Sequence, residues 1–412
     1  MGLLGRLSFL CRVAWHSVLL ALHAARCQLA PGSSGGAGPR EPLLVLYSQV
    51  PWWGVWQRPQ ELARGLARGR RVLFFSPIQV HERLGRYTHA QRELREPEGK
   101  GLTVLTPAIF SGEYRWHWVF RLNRWLVAQE LRQALQGEDN VTLLANTPLV
   151  EPLLDRIDFS RVVYDVMDDF AAFDWAPAGA NAMHTRLLDR ADAVSTGTYT
   201  LLNQVLPTNR DATFIPCGVD FDAFHTPDGV HVDEPDDLRG LSRPLIGYVG
   251  TLSERIDTDL IADIAARFPE ATLVLVGPVY RTLGAPPEAP NIRYLGLKPH
   301  KTLPAYLRHF DVALLPFRLN DASLAVNPVK TLEYLAAGCV VVSTAIPDVE
   351  RFYSDVVLIA QSREHFLEHV ATTLGEDCAD RVAEGIDTAR GATWNGMVER
   401  FEALLDGTKP CE

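Results

Sequence analysis

The sequence predicts an α/β protein made of two doubly wound, Rossmann-like domains that face each other across a cleft. Three observations carry this prediction. The chain has 412 residues, more than one compact core of ordinary size holds. Apolar runs of strand length alternate with longer helical patterns, the arrangement that yields parallel sheets covered on both faces. The alternation stops once, in a Pro- and Asp-rich stretch at 226–243, and then restarts. Composition agrees with a globular protein, 47% hydrophobic and 22% charged. The expected organisation is a basic extension at 1–40, a first domain at 41–225, a linker at 226–243, a second domain at 244–390, and a C-terminal helix within 391–412 that crosses back to the first domain.

The extension carries Arg6, Arg12, Arg26 and Arg40 and no acid. Its longest uncharged stretch, Val13–Ala25, is shorter than the roughly 20 apolar residues a spanning helix needs. It reads either as a cationic amphipathic helix on the inner membrane face or as a disordered arm ending in the Gly/Ser-rich run from Pro31 to Gly38. The expected location is cytoplasmic or peripheral on that face.

In the first domain, Leu43–Tyr47 is a wholly apolar run, as a buried parallel strand requires. A tryptophan-rich loop follows, and Arg58-Pro59 opens a helix over Gln60–Arg68. Strands are predicted at Arg71–Phe75, Leu102–Thr106, Val141–Ala145, Val162–Asp165, Ala193–Thr196 and Thr213–Ile215. Helices are predicted at Val119–Gln136 and Ala180–Arg190. In the second domain, strands are predicted at Leu245–Val249, Thr272–Val276, Ile292–Tyr294, Val312–Leu315 and Val340–Ser343. Helices are predicted at Thr258–Arg267, Leu303–Phe310, Val329–Ala337 and His365–Thr373. Ligands of such sheets bind at the carboxyl ends of the strands, so the site is expected between the two domains.

The strongest local signal is Asn327-Pro-Val-Lys-Thr-Leu-Glu-Tyr-Leu-Ala-Ala-Gly338. Pro328 suits a helix start and Gly338 a helix stop. Free amides near Val329 and Lys330 would form an anion site, strengthened by the lysine charge. Glu333, on the same helical face, would accept hydrogen bonds from ribose hydroxyls. The alternative is ordinary packing, with Lys330 and Glu333 as a surface pair. A second signal, Gly247-Tyr-Val-Gly-Thr-Leu-Ser-Glu-Arg255, follows the first strand of the second domain. Gly250 and Thr251 would let backbone approach a ligand, and Arg255 would reach the same diphosphate.

In the first domain, Asp165, Asp168 and Asp169 cluster at a strand end. Carboxylates this close raise one another's pKa, and one of them, Asp168 first, would serve as a general base. The alternative is loop capping. Gln57 and Arg58, at the start of the first helix, would touch the acceptor or a phosphate. Asp220-x-Asp222 and Asp257-x-Asp259 match a metal-binding pattern, but no metal or other cofactor is expected. The net charge of −10 argues against nucleic acid as the main partner. The six cysteines, at 11, 27, 217, 339, 378 and 411, form no CxxC pair, so neither a disulfide framework nor a zinc site is indicated. The segment from Tyr114 to Trp125 mixes aromatic and basic residues and reads either as a membrane-interface element or as a core helix with a wet basic face.

Taken in order, Ile215-Pro-Cys-Gly-Val-Asp220, Gly250-x-Leu-x-x-Arg255, Val276-Gly277, Tyr294-Leu295-Gly296, Asp311-Val-Ala-Leu-Leu-Pro316 and the Asn327–Gly338 run resemble the group 1, or family 4-like, glycosyltransferases of the GT-B fold. Trp56-Gln-Arg-Pro59 and Tyr164-Asp-Val-Met-Asp-Asp169 resemble a branch that includes teichuronic-acid-type and other exopolysaccharide transferases. The resemblance spans roughly 43–405. It implies transfer of a hexose, with retention, from a UDP- or GDP-type sugar to a glycan or polyprenol-linked acceptor. Arg255 and Lys330 would hold the diphosphate, Glu333 the ribose, and backbone near Gly296 and Leu297 the base. One departure stands out: the acid that family 4 members carry eight residues before the glutamate is here Ala325, which leaves Asn327 or Lys330 for the donor sugar. Rival expectations are a non-hydrolysing nucleotide-sugar epimerase and a non-catalytic glycosyltransferase-like subunit.

Overall fold

The computed structural model describes residues 41–54, 56–81, 101–170, 176–227, 229–280, 283–320, 325–326 and 328–408. The basic extension at 1–40, and Asn327, lie outside them. The chain divides into two compact units. The first runs to Thr196 and takes in Leu202–Thr213 and the residues from Val398 onward; the second comprises Gly197–Leu201 and Phe214–Met397.

The sheet of the first unit has the order β4-β2-β1-β6-β7-β8-β9. These strands are β1 Leu43–Tyr47, β2 Arg71–Phe75, β4 Leu102–Leu105, β6 Val141–Ala145, β7 Arg161–Val166, β8 Ala193–Thr196 and β9 Thr213–Phe214. β1 pairs in parallel with β2 on one side and β6 on the other, Leu43 facing both Arg71 and Val141. All five residues of β1 are buried, which explains an unbroken apolar run in place of alternation: helices cover both faces. Those helices include α1 Arg58–Leu66, α2 His117–Ala134, α3 Ala180–Arg190 and α4 Tyr199–Val205, with a 3-10 turn at Pro148–Leu153.

The sheet of the second unit has the order β12-β11-β10-β13-β14-β15, formed by β10 Leu245–Val249, β11 Thr272–Val276, β12 Ile292–Gly296, β13 Val312–Leu315, β14 Val341–Thr344 and β15 Val357–Ala360. All its strand pairs are parallel. Around it lie α5 Phe221–Phe224, α6 Thr258–Arg267, α7 Leu303–Leu307, α8 Val329–Ala336, α9 Pro347–Tyr353, α10 Arg363–Gly375 and α11 Ala379–Gly391. One apolar core joins β10, β11, β13 and β14 to these helices through residues such as Ile246, Leu314, Val342, Leu335 and Phe366.

The last helix, α12, spans Trp394–Leu405. Within the first unit, a methyl of Val398 lies 2.3 Å from where a Cβ on Gly65 would stand, so only glycine lets α1 approach that residue. Phe401 beside it is fully buried.

Two differences from the sequence expectation have simple causes. The two-residue strands β3 Ile78–Gln79 and β5 Ala108–Ile109 form a small separate sheet; they are too short to show a period of two. The stretch 226–243, expected as a linker, belongs to the second unit. Leu238 is buried there at 1% exposure, and Asp237 accepts hydrogen bonds from Tyr306 and Lys298. Pro and Asp mark irregular backbone, not the absence of packing.

Candidate functional site

In the second unit, the turns leaving β10, β11 and β12 meet at the carboxyl ends of the sheet. The Gly250 amide donates to Val276 (2.9 Å) and the Gly277 amide to Gly296 (2.9 Å). Gly277 has φ +147°, and a Cβ there would stand 1.8 Å from the Gly250 carbonyl oxygen, so no side chain fits between these loops. The Tyr248 hydroxyl donates to the Thr251 carbonyl at 3.1 Å. Burial pushes this phenol's pKa up, against the nearby Arg255 charge, so it stays a neutral donor. Arg255 is half-buried, and its carbonyl accepts from the Arg318 amide at 2.8 Å.

Helix α8 follows β13 in the same unit. Pro328 occupies its N-cap, no side chain caps it, and its first turn holds no acid. Such an end leaves amides and the positive end of the helix dipole available to an anion. Its other end closes with Gly338 at φ +77°; the Gly338 amide donates to Leu335 and the Cys339 amide to Tyr334, both 3.0 Å, the paired bonds of a Schellman stop.

On the first two turns, Lys330 Nζ donates to Glu333 Oε2 at 2.7 Å, and His300 Nε2 lies 3.6 Å from Glu333 Oε1. Glu333 is 4% exposed. Burial pushes its carboxyl up, but Lys330 and then His300 outweigh that and hold it below the ordinary carboxylate value. The adjacent Tyr334 hydroxyl donates to the Val249 carbonyl at 3.0 Å and accepts from the Val249 amide at 2.8 Å. The end of β10 and helix α8 are thereby joined through one buried side chain. Gly296 has φ +68°, and Leu297 beyond it is 70% exposed. Ala325, where the resemblance implies an acid, is buried at 3% exposure.

The structure thus ties Glu333 to Lys330 and His300 and, through Tyr334, joins α8 to the end of β10, where Gly250 follows. It joins Lys330 to Glu333, the pair that the ordinary-packing alternative expects, although Glu333 is buried and not at the surface. His300 and Tyr334 had been given no role. The available signal for His300 was its place four residues after β12, on the carboxyl side; for Tyr334 there was none, because its partner lies 85 positions away.

In the first unit, Asp165 is fully buried and accepts four hydrogen bonds: from Arg58 Nε (2.9 Å) and Nη2 (2.8 Å), Asn146 Nδ2 (2.9 Å) and Ser195 Oγ (2.9 Å). Each carboxylate oxygen has two donors, which fills its usual capacity. Arg58, expected near an acceptor or phosphate, is 3% exposed and lies 5.2 Å from the centre of the Phe401 ring. The two residues therefore hold each other and the ends of β6, β7 and β8. Asp168 and Asp169 follow β7, both half-buried. Tyr164 bonds to His184 at 2.9 Å; burial lowers the histidine pKa while the charge of Asp169 opposes the change. Gln57 is exposed, with its amide received by the Gln60 side chain at 3.2 Å. The two Asp-x-Asp pairs cap helices: Asp220 accepts from the Ala223 amide, and Asp257 from those of Asp259 and Leu260.

Comparison with known proteins bears on both units. Residues 243–376 match the family model for glycosyl transferases group 1. The chain is 24% identical over 274 residues to the teichuronic acid biosynthesis glycosyltransferase TuaH of Bacillus subtilis, covering 61% of this chain and 68% of the relative. Sucrose-phosphate synthase from Thermosynechococcus elongatus superposes with a TM-score of 0.65 at 14% identity, over 89% of this chain and 99% of that one. An E. coli trehalose-6-phosphate structure bound with UDP-2-fluoro glucose superposes at 0.65 and 15% identity, over 90% and 100%. Anabaena HepE in complex with UDP superposes at 0.62 and 14% identity, over 89% and 100%. The fold is GT-B.

Proposed function

From the premise that this chain is a glycosyltransferase, with a group 1 domain over residues 243–376, we propose that it moves a sugar from a UDP- or GDP-type donor to a hydroxyl of a glycan or polyprenol-linked acceptor in cell-surface polysaccharide synthesis. The observation that carries this reading is the Lys330–Glu333–His300 cluster at the open start of α8. A lysine ammonium has three hydrogens, so Lys330 can keep Glu333 and still meet a phosphate. In the proposed arrangement Lys330, Arg255 and the amides at Val329 take the diphosphate, Glu333 takes the ribose hydroxyls, and backbone at Gly296 and Leu297 faces the base. Asn327, outside the described residues, stands two positions from Ala325 and is the proposed contact to the donor sugar. The UDP and UDP-sugar analogue named in the HepE and E. coli structures support a nucleotide-sugar donor, and the name of TuaH supports an envelope polymer as product.

In the transfer, the acceptor oxygen bonds to the anomeric carbon and the carbon–oxygen bond to the diphosphate breaks. Charge grows on the leaving phosphate, where fixed positive groups stabilise it most. With retention, the acceptor proton passes to that phosphate; with inversion, a carboxylate takes it, and Asp168 is the proposed residue. Asp168→Asn therefore separates the two courses in a transfer assay: activity within a few-fold of wild type is the expected, retaining result, whereas near-complete loss assigns a base to Asp168.

Nucleotide binding tests the donor site directly. Calorimetric titration with UDP and with GDP is expected to give saturable binding of one of them. Glu333→Gln is expected to weaken it about tenfold or more, the scale of a hydrogen bond to a charged group. No heat from either nucleotide, with the protein folded by circular dichroism, would remove the reading.

A further inference from the structure

A cavity of about 750 Å³ opens in the first unit between α2, the 3-10 turn Pro148–Leu153 and the start of α3. Arg121, Arg124, Arg156, Arg186 and His117 line it, with Asp155 as the lone acid. Three of these charges are already matched. Arg124 binds Glu113 at 2.8 Å, Arg186 binds Glu151 at 2.7 Å, and Asp155 binds Arg190 at 2.7 Å. Arg121 and Arg156 are exposed and form no ion pair among the described residues. Beside the lining residue His117 in the chain, Trp116 and Trp118 are 50% and 67% exposed. The chain as a whole carries a net charge of −10, yet from Tyr114 to Val127 it has three arginines and no acid.

We propose that this face docks on an anionic lipid bilayer, with headgroup phosphates received by Arg121 and Arg156 and the two indoles set into the interface. A small soluble anion would engage the arginines and leave both tryptophans in water. A bilayer surface matches both features, since indoles concentrate at the headgroup level and arginines are drawn to acidic lipid. The proposal stands independently of the transfer reading.

The test uses the full chain and co-sedimentation with vesicles of phosphatidylcholine alone and of phosphatidylcholine with phosphatidylglycerol. Wild type is expected on the anionic vesicles only, with binding reduced by high salt. Two double variants, Trp116→Ser with Trp118→Ser and Arg121→Gln with Arg156→Gln, are each expected to lower the partition by about tenfold. These positions are exposed, so circular dichroism should show both variants folded. The proposal is overturned if wild type ignores anionic vesicles. It is also overturned if both variants bind as wild type does, which would place attachment on the 1–40 extension. Abolition of vesicle binding by millimolar inorganic phosphate at constant ionic strength would overturn it too, marking a site for a soluble anion.

Discussion

Lys330→Ala is expected to slow glycosyl transfer by about 10²–10³-fold, the usual effect of removing one preorganised charge from a developing anion. Helix α8 survives the change, because Leu332, Tyr334, Leu335 and Ala336 are buried and alanine favours a helix. A second effect travels with the first. In the wild type, Glu333 titrates below its ordinary value. Its contribution to stability is therefore complete above the ordinary carboxylate range and is lost as pH falls through the depressed value. Without Lys330, burial is opposed mainly by His300, so the folded value rises and the acid-side loss of stability moves to higher pH. Steady-state rates and thermal melts from neutral to acid pH read both effects. Transfer within a few-fold of wild type would place the phosphates elsewhere.

Arg58→Ala is expected to destabilise the first unit by about 3–5 kcal/mol, because it strands a buried carboxylate. The side chains of Arg58 and Asp165 are 4% and 0% exposed, so water cannot replace the lost partner. Asp165→Asn alone should cost less, since Asn146 and Ser195 remain to bond it. The double substitution Arg58→Ala with Asp165→Asn should recover part of the loss, and a denaturation cycle over wild type, the two single variants and the double gives the coupling. A single-variant loss below about 1 kcal/mol, the scale of an exposed pair, would show that the network does not hold the strand ends.

Both sites differ in how far the sequence disclosed them. β1 and β10 announce themselves because a strand buried on both faces must be apolar throughout, and Leu43–Tyr47 is. The start and stop of α8 were visible in Pro328 and Gly338, whose backbone constraints are local. The glycines at 250 and 277 were visible as motif residues, though not the 1.8 Å approach that makes one of them obligatory. What stayed hidden was pairing at long range. Arg58 and Asp165 are separated by 107 positions, and each taken alone resembles a residue offered to a ligand. Only the geometry shows that they satisfy each other. The 226–243 stretch failed for a related reason: composition reports backbone irregularity, whereas Leu238 and Asp237 are anchored by side chains distant in sequence.

The seating of Phe401 over Arg58 and of Val398 against Gly65 has a consequence for biosynthesis. A polypeptide emerging from the ribosome has made all of the first sheet nearly two hundred residues before it makes these two side chains. Until then α1 has an uncovered flank and the buried guanidinium lacks its aromatic lid. The flank of α1 and the buried guanidinium are thus closed by residues made long after the strands of the same unit.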